Sequence, residues 1–248
     1  MRGRLKENER IDDLEFKGLK IIQNKNGFCF GMDAVLLSDF AKDLKKDATV
    51  LDLGTGTGIV SILLCGKTNL KKIIGVEIQE EVADMARRSS KLNNLQDRFE
   101  VLNTSILDLE DVLQGQKFDS VVTNPPYKKL ETGKVNEKDL KKISRHEITA
   151  NLEDFIKVSS RLLKDNGSFY MVHRPERLPD IMVNLRKYKI EPKQIKFVQP
   201  SVDKASNLIL IKGVKCAKPF LKIEKNLIVY KENGEYTNDI MKIYGKGE

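Results

Sequence analysis

No run of apolar residues in this 248-residue chain is long enough to span a bilayer, so no membrane-crossing helix is expected. Cysteine is scarce: Cys29, Cys65 and Cys216 are widely separated and odd in number, supplying neither a disulfide framework nor zinc-ligand spacing, and they suit a reducing cytoplasm. The two histidines, His146 and His173, stand apart, and no metal site is expected. Residues 1–15 are charged and lack the apolar core of a secretory signal, which again points to a cytoplasmic protein. Internal repeats and low-complexity linkers are missing too. One domain over residues 1–248 is the simplest account, with an N-terminal extension at 1–46 and a C-terminal hairpin appendage at 216–248. What the chain has in excess is positive charge. Lys and Arg total 44 against 36 acids, a formal balance of +8 and a pI near 9.2, which favours a polyanionic partner.

Hydrophobic patterning gives alternating units. Strand-like runs lie near 48–53, 72–77, 98–103, 118–123 and 167–172, and helical patterns near 58–65, 80–93, 152–163 and 176–187. Alternation of this kind predicts an α/β fold, a parallel sheet with helices on both faces. Two later runs, around 193–199 and 206–214, lack a helix between them and read as a hairpin closing the sheet. In the tail, 227–231 and the segment from Tyr236 onward are joined through Asn233-Gly234, a two-residue hairpin signal. Lys164-Asp165-Asn166-Gly167 reads as a helix-to-strand turn, and Asp119 and the acids from Asp108 to Asp111 as caps or solvent-facing groups.

The first strand ends in Asp52-Leu53-Gly54-Thr55-Gly56-Thr57-Gly58, and a helical pattern follows from Ile59. Glycines at such a turn permit positive φ and close approach of a ligand to the backbone. The helix amino terminus beyond favours an anionic group. The next strand ends at Glu77, about 20 residues on, where an acid meets ribose hydroxyls in nucleotide-binding βαβ units. The residue after Gly58 is Ile59, so the spacing is not the dinucleotide fingerprint G-x-G-x-x-G. G-x-G-x-G with a preceding acid suits S-adenosylmethionine better than NAD.

Two strands later, 118–122 leads into Asn124-Pro125-Pro126-Tyr127. The two prolines stiffen the chain and donate no backbone hydrogen bonds. An exocyclic amino or amide nitrogen is a poor nucleophile because its lone pair is delocalised. The Asn124 side-chain oxygen and the Pro125 carbonyl offer two acceptors that would hold both N–H groups of such a nitrogen, and the Tyr127 ring would stack on a planar substrate. With a sulfonium methyl donor, positioning and aimed hydrogen bonds would carry most of the catalysis. Directly after come Lys128, Lys129, Lys134, Lys138, Lys141, Lys142 and Arg145, diluted by Glu131, Glu137 and Asp139. A basic loop at the substrate mouth suits the phosphates flanking a target nucleotide, although a solvated insertion explains the same charges. His173 and Arg174 follow a strand on the same edge, so they are candidates for substrate contact or for a surface turn closed by Pro175.

Together these motifs resemble class I S-adenosylmethionine-dependent amino-methyltransferases, and most of all the bacterial tRNA1(Val) adenine-37 N6-methyltransferase family. The resemblance covers nearly the whole chain. It includes the segment Gly27-Phe28-Cys29-Phe30-Gly31-Met32-Asp33-Ala34-Val35-Leu36-Leu37, Arg145-His146-Glu147, His173-Arg174-Pro175-Glu176-Arg177, and a tail with Tyr236, Thr237 and Tyr244. It implies a Rossmann-like, mostly parallel seven-stranded sheet with an antiparallel last strand. It also implies an S-adenosylmethionine site at Asp52, Gly54, Thr55, Gly56, Gly58, Glu77 and Ile78, with Met32 and Asp33 closing over the cofactor. Asn124, Pro125, Pro126 and Tyr127 would be catalytic, on an adenosine of tRNA next to the anticodon. RNA contacts are expected at Lys128, Lys129, Lys141, Lys142, Arg145, His173 and Arg174. Related enzymes commonly carry an acid at the end of the third strand. Here the stretch reads Leu102-Asn103-Thr104-Ser105-Ile106, and Ser105 is the candidate contact to the cofactor adenine. A DNA adenine N6-methyltransferase, an N5-glutamine methyltransferase of release factors, and a non-catalytic RNA-binding module on this scaffold are the alternatives. The first needs a target-recognition region and the second a helical N-terminal domain, for both of which little chain is left over.

Overall fold

A computed structural model describes residues 5–25, 31–127 and 150–246. Its centre is a nine-stranded sheet in the order β10-β8-β9-β7-β6-β3-β4-β5, with β11 also pairing with β8. The strands of the first half are β3 (Thr49–Leu53), β4 (Lys72–Glu77), β5 (Phe99–Asn103) and β6 (Phe118–Thr123); those of the second are β7 (Leu163–His173), β8 (Ile190–Gln199) and β9 (Leu208–Lys215). These seven are the expected sheet. All but β9 run one way, and β9 is antiparallel to both β7 and β8. The two extra strands, β10 (Lys222–Ile223) and β11 (Leu227–Ile228), are two-residue additions parallel to β8.

Strand residues alternate between two buried layers, as the period of two requires. In β7, Phe169 and Met171 face one layer while Tyr170 and Val172 face the other; in β9, Ile209 and Ile211 oppose Leu208 and Leu210. One layer is completed by α1 (Met32–Phe40), α2 (Ile59–Lys67) and α3 (Glu80–Leu92), the other by α4 (Leu109–Leu113), α5 (Leu152–Leu162) and α6 (Leu178–Lys187). Each fully buried Leu, Ile or Phe in these layers contributes about 1.5–3 kcal/mol. None of the helices of the described residues is long and apolar enough to cross a membrane.

The chain leaves β3 for β4 on one side and returns to β6 on the other. The sheet therefore switches direction at β3, and a crevice opens at the carboxyl ends of β3 and β6. Two elements of the first fifty residues were not anticipated. The hairpin β1 (Glu9–Asp13) and β2 (Lys20–Asn24) lies on α3, where Ser89 Oγ accepts from the Ile22 N–H at 2.9 Å and the Arg88 guanidinium forks onto Glu9. Helix α1 follows and packs on α2 and β7.

Three local expectations are corrected. Lys164-Asp165-Asn166-Gly167 lies inside β7, which starts directly where α5 ends. Asn166 takes φ of 61°, and a register shift opposite Phe118 and Ser120 absorbs the irregularity. In the tail, the Asn233-Gly234 turn has three residues between Lys231 and Glu235, with Gly234 at φ of 81°. Tyr236 makes one antiparallel bridge to Tyr230. The chain then enters α7 (Asn238–Ile243), capped by the Thr237 hydroxyl. Asp119, expected as a cap or solvent-facing group, accepts from the Thr49 backbone and hydroxyl and from Lys164, and ties β6 to its neighbours.

Candidate active site

The glycine turn after β3 has the conformation its sequence requires. Gly54, Gly56 and Gly58 have φ of 71°, 57° and 93°. At Gly58 the space is closed as well, since a Cβ there would lie 2.8 Å from the Phe99 ring. At Gly56 a Cβ would meet nothing within 4 Å. Asp52 is buried at the end of β3, and its Oδ2 accepts from Thr55 Oγ1 and Ser61 Oγ, each at 2.7 Å. Burial pushes the Asp52 carboxyl up to about 6; the two hydroxyls oppose that rise and the charge of Glu77 adds to it. Glu77 ends β4 and accepts from the N–H of Gly56 at 3.1 Å and of Gln79 at 2.9 Å. Asn103 ends β5. Its amide donates to the carbonyls of Glu77 at 2.9 Å and Ile78 at 3.0 Å, fixing the exit of β4.

These groups line a cleft of about 550 Å³. Its described walls carry four carboxyls, Asp33, Asp52, Glu77 and Glu81, and no basic side chain. In a chain of formal charge +8, that is a local reversal of sign. Such a cavity favours a cationic ligand.

A second cleft of about 740 Å³ adjoins it, and Asp33, Gly54, Glu77, Gln79 and Asn124 belong to both. Its walls are largely apolar: Val76, Ile78, Ile106, Pro125, Pro126 and Phe155, with Ser105, Tyr127 and Arg174 among the polar groups. Ser105 caps a short turn by accepting from the Leu107 N–H at 3.2 Å. The expected cofactor residues Ile78 and Ser105 are thus on the wall shared with the tetrapeptide. Asp33 is at the junction of the two clefts. Met32 packs against the core layer beneath α1 and lines neither cleft, because it points into the apolar side of the helix.

The Tyr127 hydroxyl lies 2.7 Å from Asp33 Oδ2 and 2.8 Å from the Asn124 side-chain atom placed as Oδ1. A hydroxyl carries one proton, and the carboxylate is the stronger acceptor for it. The Asn124 amide therefore completes the chain when its NH2 faces Tyr127, which turns Oδ1 away from the hydroxyl. The two ends of an amide have nearly the same shape, so this choice follows from the hydrogen bonds. Burial, and then the charge of Asp33, push the Tyr127 hydroxyl well above the usual tyrosine range. The Arg174 guanidinium lies 5.1 Å from the Tyr127 ring centre, and the His173 ring 5.1 Å away at 60°.

His173 departs from expectation. It is 1% exposed, and its Nδ1 accepts from the Arg174 N–H at 2.8 Å, which leaves an RNA phosphate no surface to touch. Burial, aided by Arg177, lowers its pKa to about 4, so the ring is a neutral packing partner of Tyr127. Lys128, Lys129, Lys141, Lys142, Arg145, His146 and the Phe28–Phe30 segment lie outside the described residues. Residues that sequence reasoning passed over are Asn103, Gln79, Phe155 and the Asp33–Tyr127 contact. For Asn103 a signal existed, an amide at the end of a strand that leads to the site.

The profile of the methyltransferase domain family matches residues 44–233. A Porphyromonas gingivalis protein named tRNA1(Val) (adenine(37)-N6)-methyltransferase is 29% identical over 204 residues, covering 80% of this chain and 79% of its own length. A second protein of that name, from another strain of the organism, is 30% identical over 184 residues, covering 72% and 71%. Among solved structures, one titled a predicted O-methyltransferase from Agrobacterium tumefaciens superposes with a TM-score of 0.70 at 21% identity, over 87% of this chain and 97% of that one. At that identity the likeness is one of fold.

Proposed function

We propose an activity from the premise that this chain belongs to the methyltransferase-domain family and, within it, to the group named tRNA1(Val) (adenine(37)-N6)-methyltransferase. It transfers a methyl group from S-adenosylmethionine to the N6 nitrogen of an adenosine in tRNA, at position 37 beside the anticodon, in the cytoplasm. The observation that carries this reading is the shared wall of the two clefts, where Asn124 borders both the acidic cavity and the apolar one.

The donor set supports the cofactor. S-adenosylmethionine has a sulfonium and an ammonium, which suit a cleft with four carboxyls and no basic group, and ribose hydroxyls, which suit Glu77. Asp52, Gly54, Thr55, Gly56 and Gly58 would hold the methionine portion. Ile78 and Ser105 would hold the adenine. Bound there, S-adenosylmethionine supplies an electrophilic methyl group. Asn124 Oδ1 and the Pro125 carbonyl would accept the two N6 hydrogens and aim the nitrogen lone pair along the methyl–sulfur axis. Pro126 stiffens that pair of acceptors. No strong base is required before transfer, and Tyr127, whose hydroxyl titrates above its usual range, is not one. The proton lost from nitrogen afterwards passes to solvent. A base in the anticodon loop is already partly unstacked, which makes its extrusion cheap. Lys128, Lys129, Lys141, Lys142, Arg145 and Arg174 would meet the flanking phosphates.

The test is a labelled S-adenosylmethionine assay on unmodified total tRNA, duplex DNA and release factor in parallel, with nucleoside mass spectrometry of labelled RNA. N6-methyladenosine in tRNA alone is the expected result. Label in DNA or in a glutamine of release factor moves the activity to that substrate, and cofactor binding without transfer to any of the three overturns the reading.

A further inference from the structure

The tail places three tyrosines in a ladder. Tyr230 and Tyr236 stack with ring centres 5.3 Å apart and planes 21° apart, and Tyr236 and Tyr244 follow at 5.9 Å and 15°. Lys246 lies 5.9 Å from the ring centre of Tyr244. Tyr236 is thus covered on both sides. Tyr230, 39% exposed, borders a groove of about 950 Å³ that Tyr236 does not reach. Across this groove runs the loop 200–207, whose Val202 is 71% exposed. An exposed aromatic ring, backed by a stacked partner and sharing a groove with an exposed apolar side chain, suits a flat ligand.

The groove opens on the same edge of the sheet as the candidate active site. Strand β8 runs antiparallel to β9, which runs antiparallel to β7, so β8 ends on the edge where β6 and β7 end. Loop 200–207 begins there, and the Tyr230 N–H donates to the Pro200 carbonyl at 2.9 Å. The other end of the loop reaches the active site, where Arg174 Nη1 donates to the Asn207 carbonyl at 3.1 Å while its guanidinium covers the Tyr127 ring. Tyr230 continues the line of β11, one strand beyond β8, so from β6 the span is four strand spacings, about 19 Å. A few nucleotides of unpaired RNA span that distance.

We propose that the Tyr230 groove is a second RNA site, in which a nucleobase a few nucleotides from the methylated adenosine stacks on Tyr230. The inference rests on the tRNA reading of the active site. Stacking, and not phosphate attraction, is its basis: the groove's Lys204, Lys225 and Lys231 are matched in number by Asp203, Glu232 and Asp239. A base–aromatic stack is sequence-tolerant, so this site adds affinity without choosing a base.

The experiment measures binding of the full chain to an unmodified tRNA transcript, alongside cofactor affinity and melting temperature. Tyr230→Ala is expected to weaken tRNA binding about tenfold, with the slope of log K against log salt and cofactor affinity unchanged and the melting temperature lowered by only a few degrees through loss of the Tyr236 stack. Tyr230→Phe keeps the ring and should bind as the wild type does, and Val202→Ala should weaken binding by a few-fold. Photo-cross-linking of 5-bromouridine-substituted anticodon stem-loop should attach RNA to the peptide containing Tyr230. Equal binding by Tyr230→Ala and wild type, or cross-links confined to the catalytic cleft, overturns the proposal while leaving the methylation reading intact. A wild type that methylates no tRNA sinks that reading instead, and the groove with it.

Discussion

The two adjoining clefts are built in opposite ways. The acidic one is built around a stretch of 26 residues, from Asp52 to Glu77, whose hydrogen bonds close on each other, Thr55 and Ser61 on Asp52 and Gly56 on Glu77, with Asp33, Glu81 and Asn124 added from outside it. The apolar one is assembled from distant parts of the chain. Asp33 arrives from α1, Asn124 and Tyr127 from the loop after β6, Phe155 from α5, and Arg174 from the end of β7. A pocket of the first kind can be complete before substrate arrives, whereas the second depends on several elements docking together. Cofactor binding and methyl transfer should therefore separate cleanly under mutation.

The largest separation is expected at Asn124, which borders both clefts. On the proposed reading Asn124→Ala removes an acceptor for the reacting nitrogen, and it should lower single-turnover methylation by about 10²–10³-fold. Cofactor affinity by calorimetry should change less than about twofold. A parallel loss of cofactor binding would put Asn124 in the first cleft instead of at the border. Gly58→Ala tests the opposite side. Its Cβ would sit 2.8 Å from the Phe99 ring at φ of 93°, and the cost to stability should be about 2–3 kcal/mol, read as a lower urea midpoint. Turnover per folded molecule at saturating cofactor should hold.

A pH titration sharpens the same contrast. The folded pKa of Asp52, about 6, exceeds the ordinary carboxyl value of 3.8 because of burial. Between those values the folded protein keeps a proton the unfolded chain has released, so this group's contribution to stability falls as pH rises toward 6. A cationic ligand in the cleft favours the ionised carboxylate. Cofactor affinity should therefore rise as pH increases from about 5 to about 7, by up to roughly tenfold, and then level off. In Asp52→Asn the rise should disappear. A rise that persists in the variant assigns it to another group.

The same difference in construction explains what could be read from sequence. The glycine turn, Glu77 and the tetrapeptide were legible because each is a short string whose residue types carry its chemistry. The seven strands were legible from short apolar runs, although β7 and β8 extend beyond those runs into charged residues. Helix α1 was not. Six consecutive residues, Asp33 to Ser38, are buried, so the segment has no polar face and no 3.6-residue signal. The Asp33–Tyr127 contact spans 94 residues and exists only through tertiary packing. His173 looked like a substrate contact because it ends a strand on the working edge. The alternation of β7 does not tell whether its last side chain faces solvent or a neighbouring loop, and here Tyr127 and Arg174 enclose it. The tail's Asn-Gly marked a turn correctly, but Thr237, an N-cap residue, was the stronger signal for what comes next.

The smallest effect expected is the most discriminating. If Asp33 takes the Tyr127 proton and so turns Asn124 Oδ1 toward the substrate, the three residues act as one chain. Tyr127→Phe keeps the ring for stacking and removes the hydroxyl. Loss of one hydrogen bond of about 1 kcal/mol should lower the single-turnover rate by about fivefold, with little change in the KM for tRNA. Asp33→Ala frees the same proton to bind Asn124 Oδ1 directly, and should cost a similar factor in rate. If the two act through one path, the double variant should be no slower than the worse single variant. Multiplying effects would mean that Asp33 and Tyr127 contribute separately, Asp33 through the acidic cleft and Tyr127 through its ring. A loss that appears in the KM for tRNA, with the rate intact, would leave Tyr127 as a stacking surface alone.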